Sequence, residues 1–204
     1  MNAGPLLTNI SGPTAVVTFN RPESRNSLST ALLFELDILL SSLITNSALK
    51  TLIFTGSENV FLSGANIGEL TSLDPVSAHH FSLLGQKLFQ KLTEVPQLTI
   101  AAINGYCMGG GLDFALACDI RLASSTAVFA HPGATLGIIT GWGGTQRLPR
   151  IIGTARALEF FVTARRLSSK ESLEVGLVTG IFDPVVDEAI ALANKRGSLL
   201  LQEL

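Results

Sequence analysis

The chain has 204 residues, 47% of them hydrophobic, with a formal net charge of −2. That is enough apolar material for a substantial core, and too little positive charge for a nucleic-acid or anionic-membrane footprint. Its two cysteines form no CxxC pattern and its three histidines no metal-ligand spacing, so neither a metal nor another cofactor is expected. The opening "MNAGPLLTNISGP" lacks a charged segment followed by a long apolar one, so no signal peptide is expected; buried reduced thiols in a cytoplasmic protein are.

In chain order, "AVVTFN" (15–20) reads as a strand ended by the turn "RPESRN" with Pro22. Ser29 can cap a helix through "TALLFELDILLSSLIT", whose apolar positions recur at 32, 36, 39, 40 and 43. "LKTLIFTG" (49–56) is a second buried strand, and "SENVFLSGANIGEL" reads as a loop. A helix over about 77–94 stops before Pro96. The stretch from Gln97 to Leu112 carries no charge, yet "GYCMGGG" would break a lipid-exposed helix. A buried strand, "LTIAAIN", then a turn and a short buried helix fit it better than a membrane span. "DIRLAS" (119–124) and "AVFAHP" (127–132) are short strands; an irregular glycine-rich stretch follows, with a short helix near 144–150. The remainder is helical: "TARALEFFVTA", "SSKESLEVG" and "PVVDEAIALANKRG". Strands alternating with helices imply an α/β protein with parallel pairing. The tail "SLLLQEL" is apolar with no partner evident in the chain.

The run Gly109–Gly111 precedes the buried helix "LDFALAC". Free backbone N–H groups at a helix start, reinforced by the helix dipole, can hold an anion or an oxyanion, and glycine lets a ligand approach them. Tight packing of helix on sheet explains the same glycines equally well. The phosphate patterns GxxxxGK[ST] and GxGxxG are absent. A second glycine loop, "FLSGANIGEL" (61–70), also follows a buried strand; two such loops at the carboxyl ends of neighbouring parallel strands would converge two N–H donors on one carbonyl oxygen.

Five stretches in order, "VTFNRPESRNSLS", "FLSGANIGEL", "AAINGYCMGGGLDFALACDIRLAS", "AVFAHPGATLGIITGWGGTQRLPRIIG" and "ARALEFFVTARRLSSKESLEVGLV", resemble the enoyl-CoA hydratase/isomerase (crotonase) superfamily along nearly the whole chain. The resemblance implies a single domain: a spiral of repeated ββα turns over about 1–150, then a helical part over about 151–204, shorter than usual for the family. It implies an acyl-CoA thioester substrate and a homo-oligomer, trimer or hexamer, for which the apolar tail is a candidate contact. The family's oxyanion hole falls on the N–H groups of Ser63 and Gly110, favouring the ligand reading of the glycines. Arg25 would lie near the CoA phosphates, and Ala65, Asn66 and Ile67 at the adenine end; Gly109, Gly133 and Trp142 complete the implied substrate contacts. Trp142 reads equally well as core.

The acid/base positions depart from the pattern. Hydratases of this family place one Glu three residues beyond the oxyanion glycine, where this chain has Asp113, and a second after the "xP" of the next strand, where it has Gly133. Asp113 is the expected catalytic acid, with a helix-terminus role as the alternative. His131, beside a strand, is the other titratable candidate nearby, read first as structural. His79 and His80 read as solvated, as do the pairs Arg147/Arg150 and Arg165/Arg166. Hydration or isomerisation of an enoyl-CoA is the leading expectation. Hydrolysis, decarboxylation or C–C cleavage of a thioester, or binding without catalysis, are the rivals.

Overall fold

A computed structural model describes residues 4–202, with side chains to residue 195. The apolar tail 198–204 lies outside the residues whose side chains are described. The chain runs β1 (Leu6–Ser11), β2 (Thr14–Phe19), α1 (Thr30–Thr45), β3 (Thr51–Gly56), β4 (Val60–Leu62), α2 (Ile67–Leu70), α3 (Pro75–Thr93), β5 (Leu98–Ile103), β6 (Tyr106–Met108) and α4 (Gly110–Ala117). It continues through β7 (Ile120–Ala123), β8 (Val128–Ala130), α5 (Gly144–Ile152), α6 (Thr154–Thr163), β9 (Arg166–Ser168), α7 (Ser169–Glu174), β10 (Gly180–Ile181) and α8 (Val185–Gln202).

Two sheets organise these elements. A six-stranded sheet has the order β1-β2-β3-β5-β7-β10, and a four-stranded sheet the order β4-β6-β8-β9. Each central turn of the spiral gives its first strand to the large sheet and its second to the small one: β3 then β4, β5 then β6, β7 then β8. Pairing between successive turns is parallel; the antiparallel pairs, β1 on β2 and β8 on β9, sit at sheet edges. This is the ββα spiral that the resemblance implies.

Residue chemistry accounts for the layers. Ser29 caps α1, its hydroxyl accepting from the Leu32 N–H at 3.2 Å, and Leu32, Leu36, Leu40 and Leu43 form the buried face. Asp74 and Ser77 form a capping box on α3. Strand β3 buries both faces: Leu52 and Phe54 enter the main core, and Ile53 packs under α8 with Ile100, Ala102, Leu122, Val185, Ala189 and Ala193. Helix α4 is buried along its whole length. Its Phe114 meets Phe19, Phe54 and Phe89 edge-on at 5.4, 5.1 and 5.5 Å between ring centroids, a burial worth about 1.5–3 kcal/mol besides the ring geometry. That anchor fixes the N-terminus of α4, where the glycines lie.

The structure differs from the sequence reading in four strands and one loop. Strands β1, β6, β9 and β10 escape a hydropathy reading: β1 is mostly exposed, β6 and β9 have three residues each and β10 two. The stretch 57–70 is not a plain loop but contains β4 and α2. The glycine loops therefore follow the short strands β4 and β6 of the small sheet, rather than β3 and β5.

Candidate active site

Strands β4 and β6 are parallel neighbours, so the segments leaving their carboxyl ends run side by side. Gly64 has φ +101°, and a Cβ there would come within 2.9 Å of the Met108 carbonyl oxygen and 3.4 Å of the Gly110 nitrogen. The two backbones are thus in contact, and glycine at 64 is what lets them meet. In the GGG run, each residue has its own reason. Gly109 turns the chain at φ +50°, its N–H donating to the Ala130 carbonyl at 2.8 Å. Gly110 begins α4 under the Trp142 indole, and Gly111 lies flat on Leu62. Packing and exposed donors coexist here: Gly110 is at the first turn of α4, where N–H groups have no acceptor within the helix.

Two cavities meet at this junction. A wide groove of about 1020 Å³ runs past Arg25, Asn59, Ser63, Ala65, Tyr106 and Arg166. A smaller cavity of about 320 Å³ is bordered by Ser63, Gly109, Gly110, His131, Gly133 and Thr140, with Leu70, Leu73, Phe81, Leu136, Ile138 and Ile139 as apolar walls. Ser63, Ala65, Ile67 and Pro132 border both. The arrangement suits an elongated molecule with a more polar end, an apolar end and a waist at Ser63, Ala65, Ile67 and Pro132, next to Gly110.

Local hydrogen bonds hold the groove. Buried Asn26, at φ +51°, accepts from the Arg21 N–H at 2.7 Å and donates to the Val60 carbonyl at 2.8 Å, pinning the "RPESRN" turn to β4. Arg25 is thereby displayed on the groove wall, exposed. Asn66 caps α2 through its side chain, accepting from the Glu69 N–H at 3.2 Å, while its own N–H donates to the Leu28 carbonyl at 3.1 Å. Its Oδ1 and backbone N–H are thus used locally, and Asn66 borders the groove together with Ala65 and Ile67. Arg166, read as part of a solvated pair, borders the groove because β9 pairs with β8. Its neighbour Arg165 pairs with Glu159 and Glu171.

Trp142 fits both of its readings. It borders the small cavity, yet it is 97% buried by packing on Phe81 and Phe89, and its Nε1–H donates to the Phe81 carbonyl at 3.2 Å.

Asp113 differs most from expectation. It is wholly buried and does not border the cavity. Three neighbours enclose its carboxylate: Thr140, whose hydroxyl donates to Oδ2; Gly144, where any side chain would strike Oδ1; and His131, whose Nε2 lies 3.1 Å from Oδ1. His131 and Thr140 are the groups that reach the cavity. Gly133 also borders it, but a Cβ there would come within 2.6 Å of the Ile138 carbonyl oxygen. Thr140 escaped the sequence reading; the signal was a lone hydroxyl in the apolar run "LGIITG".

Other titratable groups stand apart. His79 and His80 are exposed on α3. Cys107 and Cys118 are free and buried; burial pushes both thiols well up, so they stay protonated and unreactive. Among the described residues no group of three or more His, Cys, Asp or Glu could hold a metal. No helix among them is long and apolar enough to cross a membrane.

The sequence profile of the family described as enoyl-CoA hydratase/isomerase matches residues 9–198. The chain belongs to that family. It is 39% identical over 187 residues to a short-chain-enoyl-CoA hydratase of Clostridium acetobutylicum, covering 90% of this chain and 72% of that protein. To a crotonyl-CoA hydratase of Syntrophomonas wolfei it is 38% identical over 171 residues, 83% of this chain and 66% of that protein. The crystal structure of an enoyl-CoA hydratase from Bacillus anthracis superposes with a TM-score of 0.92 at 35% identity, covering 96% of this chain and 77% of that one.

Proposed function

We propose that the protein is an acyl-CoA-binding enzyme that hydrates or isomerises an enoyl thioester. The observation that carries the reading is the meeting of two backbone loops at Gly64 and Gly110, next to Ser63 at the waist between a wide groove and an apolar cavity. The thioester oxygen sits at the waist and accepts from the N–H groups of Ser63 and Gly110. As the C=C or Cα–H bond reacts, charge moves onto that oxygen, and the same donors hold it more strongly. The dipole of α4 adds to the effect. Such a donor is worth about 10²–10³ in rate. The acyl chain fills the cavity against Leu70, Leu73, Phe81 and Ile139, with Gly109, Gly133 and Trp142 closing it around the reacting carbons. The CoA portion runs along the groove past Arg25 and Arg166, with its adenine end against Ala65, Asn66 and Ile67. The reaction needs no metal or further cofactor, since the two backbone donors supply the polarisation. A trimeric or hexameric assembly in the cytoplasm, working in fatty acid metabolism, completes the reading.

Acetoacetyl-CoA binding and crotonyl-CoA turnover, measured on the same preparation, test it. Saturable binding with turnover is expected; no binding of any CoA thioester would refute it. One observation favours a second reading, a CoA-thioester binder without catalysis: Gly133 offers no side chain, and Asp113 is sealed off. Binding without turnover of any enoyl or other acyl thioester is its signature.

A further inference from the structure

We propose that His131 is the proton-transferring residue of this site, and that Asp113, behind it, is its positioning residue; a carboxylate–imidazole pair thus replaces two carboxylates. The inference rests on the acyl-CoA reading above. Its first support is placement: Asp113 is wholly buried and absent from the cavity wall, whereas His131 borders the cavity and lies against the carboxylate.

The second support is a pair of orphaned atoms. Asp113 Oδ1 and His131 Nε2 are both buried and neither has a hydrogen-bond partner. They lie 3.1 Å apart, within ion-pair distance but not aligned as a hydrogen bond. A buried carboxylate oxygen and a buried ring nitrogen left unpaired are each costly, and a small rotation of the ring that lets Nε2–H donate to Oδ1 would satisfy both. With Nε2 committed, Nδ1 is the nitrogen left to act on a ligand. Phe160 and Phe161 flank the ring at 6.1 and 5.0 Å between centroids and fix its plane. Thr140 donates to the other carboxylate oxygen and fixes Asp113 in turn.

The third support is the closed space at Gly133. With its Cα facing the Ile138 carbonyl, the loop has packed around the missing side chain, so no second carboxylate can act from there. His131 lies two residues earlier on the same segment, at the end of β8.

The chemistry balances with one residue. In hydration, Nδ1 of neutral His131 takes a proton from water as the water oxygen bonds to Cβ. The C=C electron pair moves to give an enolate, its oxygen held at Ser63 and Gly110. The imidazolium then gives its proton to Cα, the enolate collapses to the thioester, and the imidazole is neutral again. The net change is one water added. Asp113 stabilises the imidazolium while it exists.

The charged and titratable groups around the pair are few. Asp113 faces His131 directly; Arg147, on α5, lies beyond Asp113, half-buried, with its guanidinium donating to the Trp142 carbonyl; Cys107, on β6, is protonated. Removing the Asp113 carboxylate therefore takes away the group that would stabilise an imidazolium formed during the reaction.

The test compares wild type, His131→Gln and Asp113→Asn, each checked for folding by melting temperature and for acetoacetyl-CoA binding. His131→Gln is expected to lower kcat for crotonyl-CoA by about 10²–10⁴-fold with KM little changed. Asp113→Asn is expected to lower kcat less, also with KM little changed. A His131→Gln enzyme with wild-type kcat overturns the proposal, and so does an Asp113→Asn enzyme with wild-type kcat. Imidazole NMR of the wild type, assigned with His79→Gln and His80→Gln, gives a readout independent of turnover. The His131 resonance should shift on adding acetoacetyl-CoA, and its position in the free enzyme should differ in Asp113→Asn. A ligand that binds without moving that resonance overturns the proposal even if a variant misfolds. Loss of all CoA-thioester binding by the wild type refutes the functional reading instead, so the two failures are distinct.

Discussion

The two halves of the proposed site are built from different materials. Where β4 and β6 end, the proposed donors are backbone N–H groups, held by parallel pairing, the positive φ of Gly64 and the burial of α4. Where β8 runs into α5, the candidate groups are side chains: no carboxylate at 133, a sealed one at 113, an imidazole and a hydroxyl on the wall. A hole made of backbone is tied to the fold and persists with it. Proton transfer needs only a suitable pKa within reach, so it can move from one side chain to a neighbour without disturbing the sheet.

Trp142 joins the halves, covering Gly110 while belonging to the second loop. Trp142→Ala should therefore damage both, costing about 3–5 kcal/mol of stability by loss of a buried aromatic together with turnover; denaturant unfolding and a crotonyl-CoA assay read the two. Gly64→Ala should separate them. A Cβ 2.9 Å from the Met108 carbonyl, at φ +101°, pushes the loops apart, so turnover should fall about 10²-fold or more while the His131 imidazole resonance keeps its wild-type position. A displaced His131 resonance in that variant would show that the halves are coupled.

Thr140→Val tests the second half alone. It leaves Asp113 Oδ2 without its donor, which should cost about 1–3 kcal/mol by thermal or urea unfolding, with CoA binding retained. Gly133→Glu would restore the missing carboxylate in name only. Its Cβ would press on the Ile138 carbonyl at 2.6 Å, so we expect no gain in hydration and a loss of about 1–3 kcal/mol; a rise in turnover would mean the loop opens freely. Arg25→Ala and Arg166→Ala, on the open groove, should have the smallest effects. Exposed charges contribute up to about 1 kcal/mol each, seen as a several-fold weaker binding of CoA thioesters that diminishes further in high salt.

The sequence revealed the backbone half better than the side-chain half, for a physical reason. Glycines at 64 and 109–111 after apolar strands are a local signature, as are Ser29 before a helix and the uncharged strand at 98–103. The proximity of His131, Thr140 and Asp113 is set by three separate segments meeting around α4, and no local pattern encodes it. Arg166 reaches the groove only through the antiparallel pairing of β8 and β9, a long-range contact. Strands of two or three residues, such as β6 and β10, carry too few positions for any periodicity to register.

The most direct test of the central claim, that the loops at Ser63 and Gly110 polarise a thioester, is the carbonyl resonance of bound ligand. Acetoacetyl-CoA labelled with ¹³C at the thioester carbonyl should show that resonance displaced downfield when bound to the wild type. The displacement should persist in His131→Gln and shrink in Gly64→Ala. A ligand that binds with an unshifted carbonyl would contradict the account.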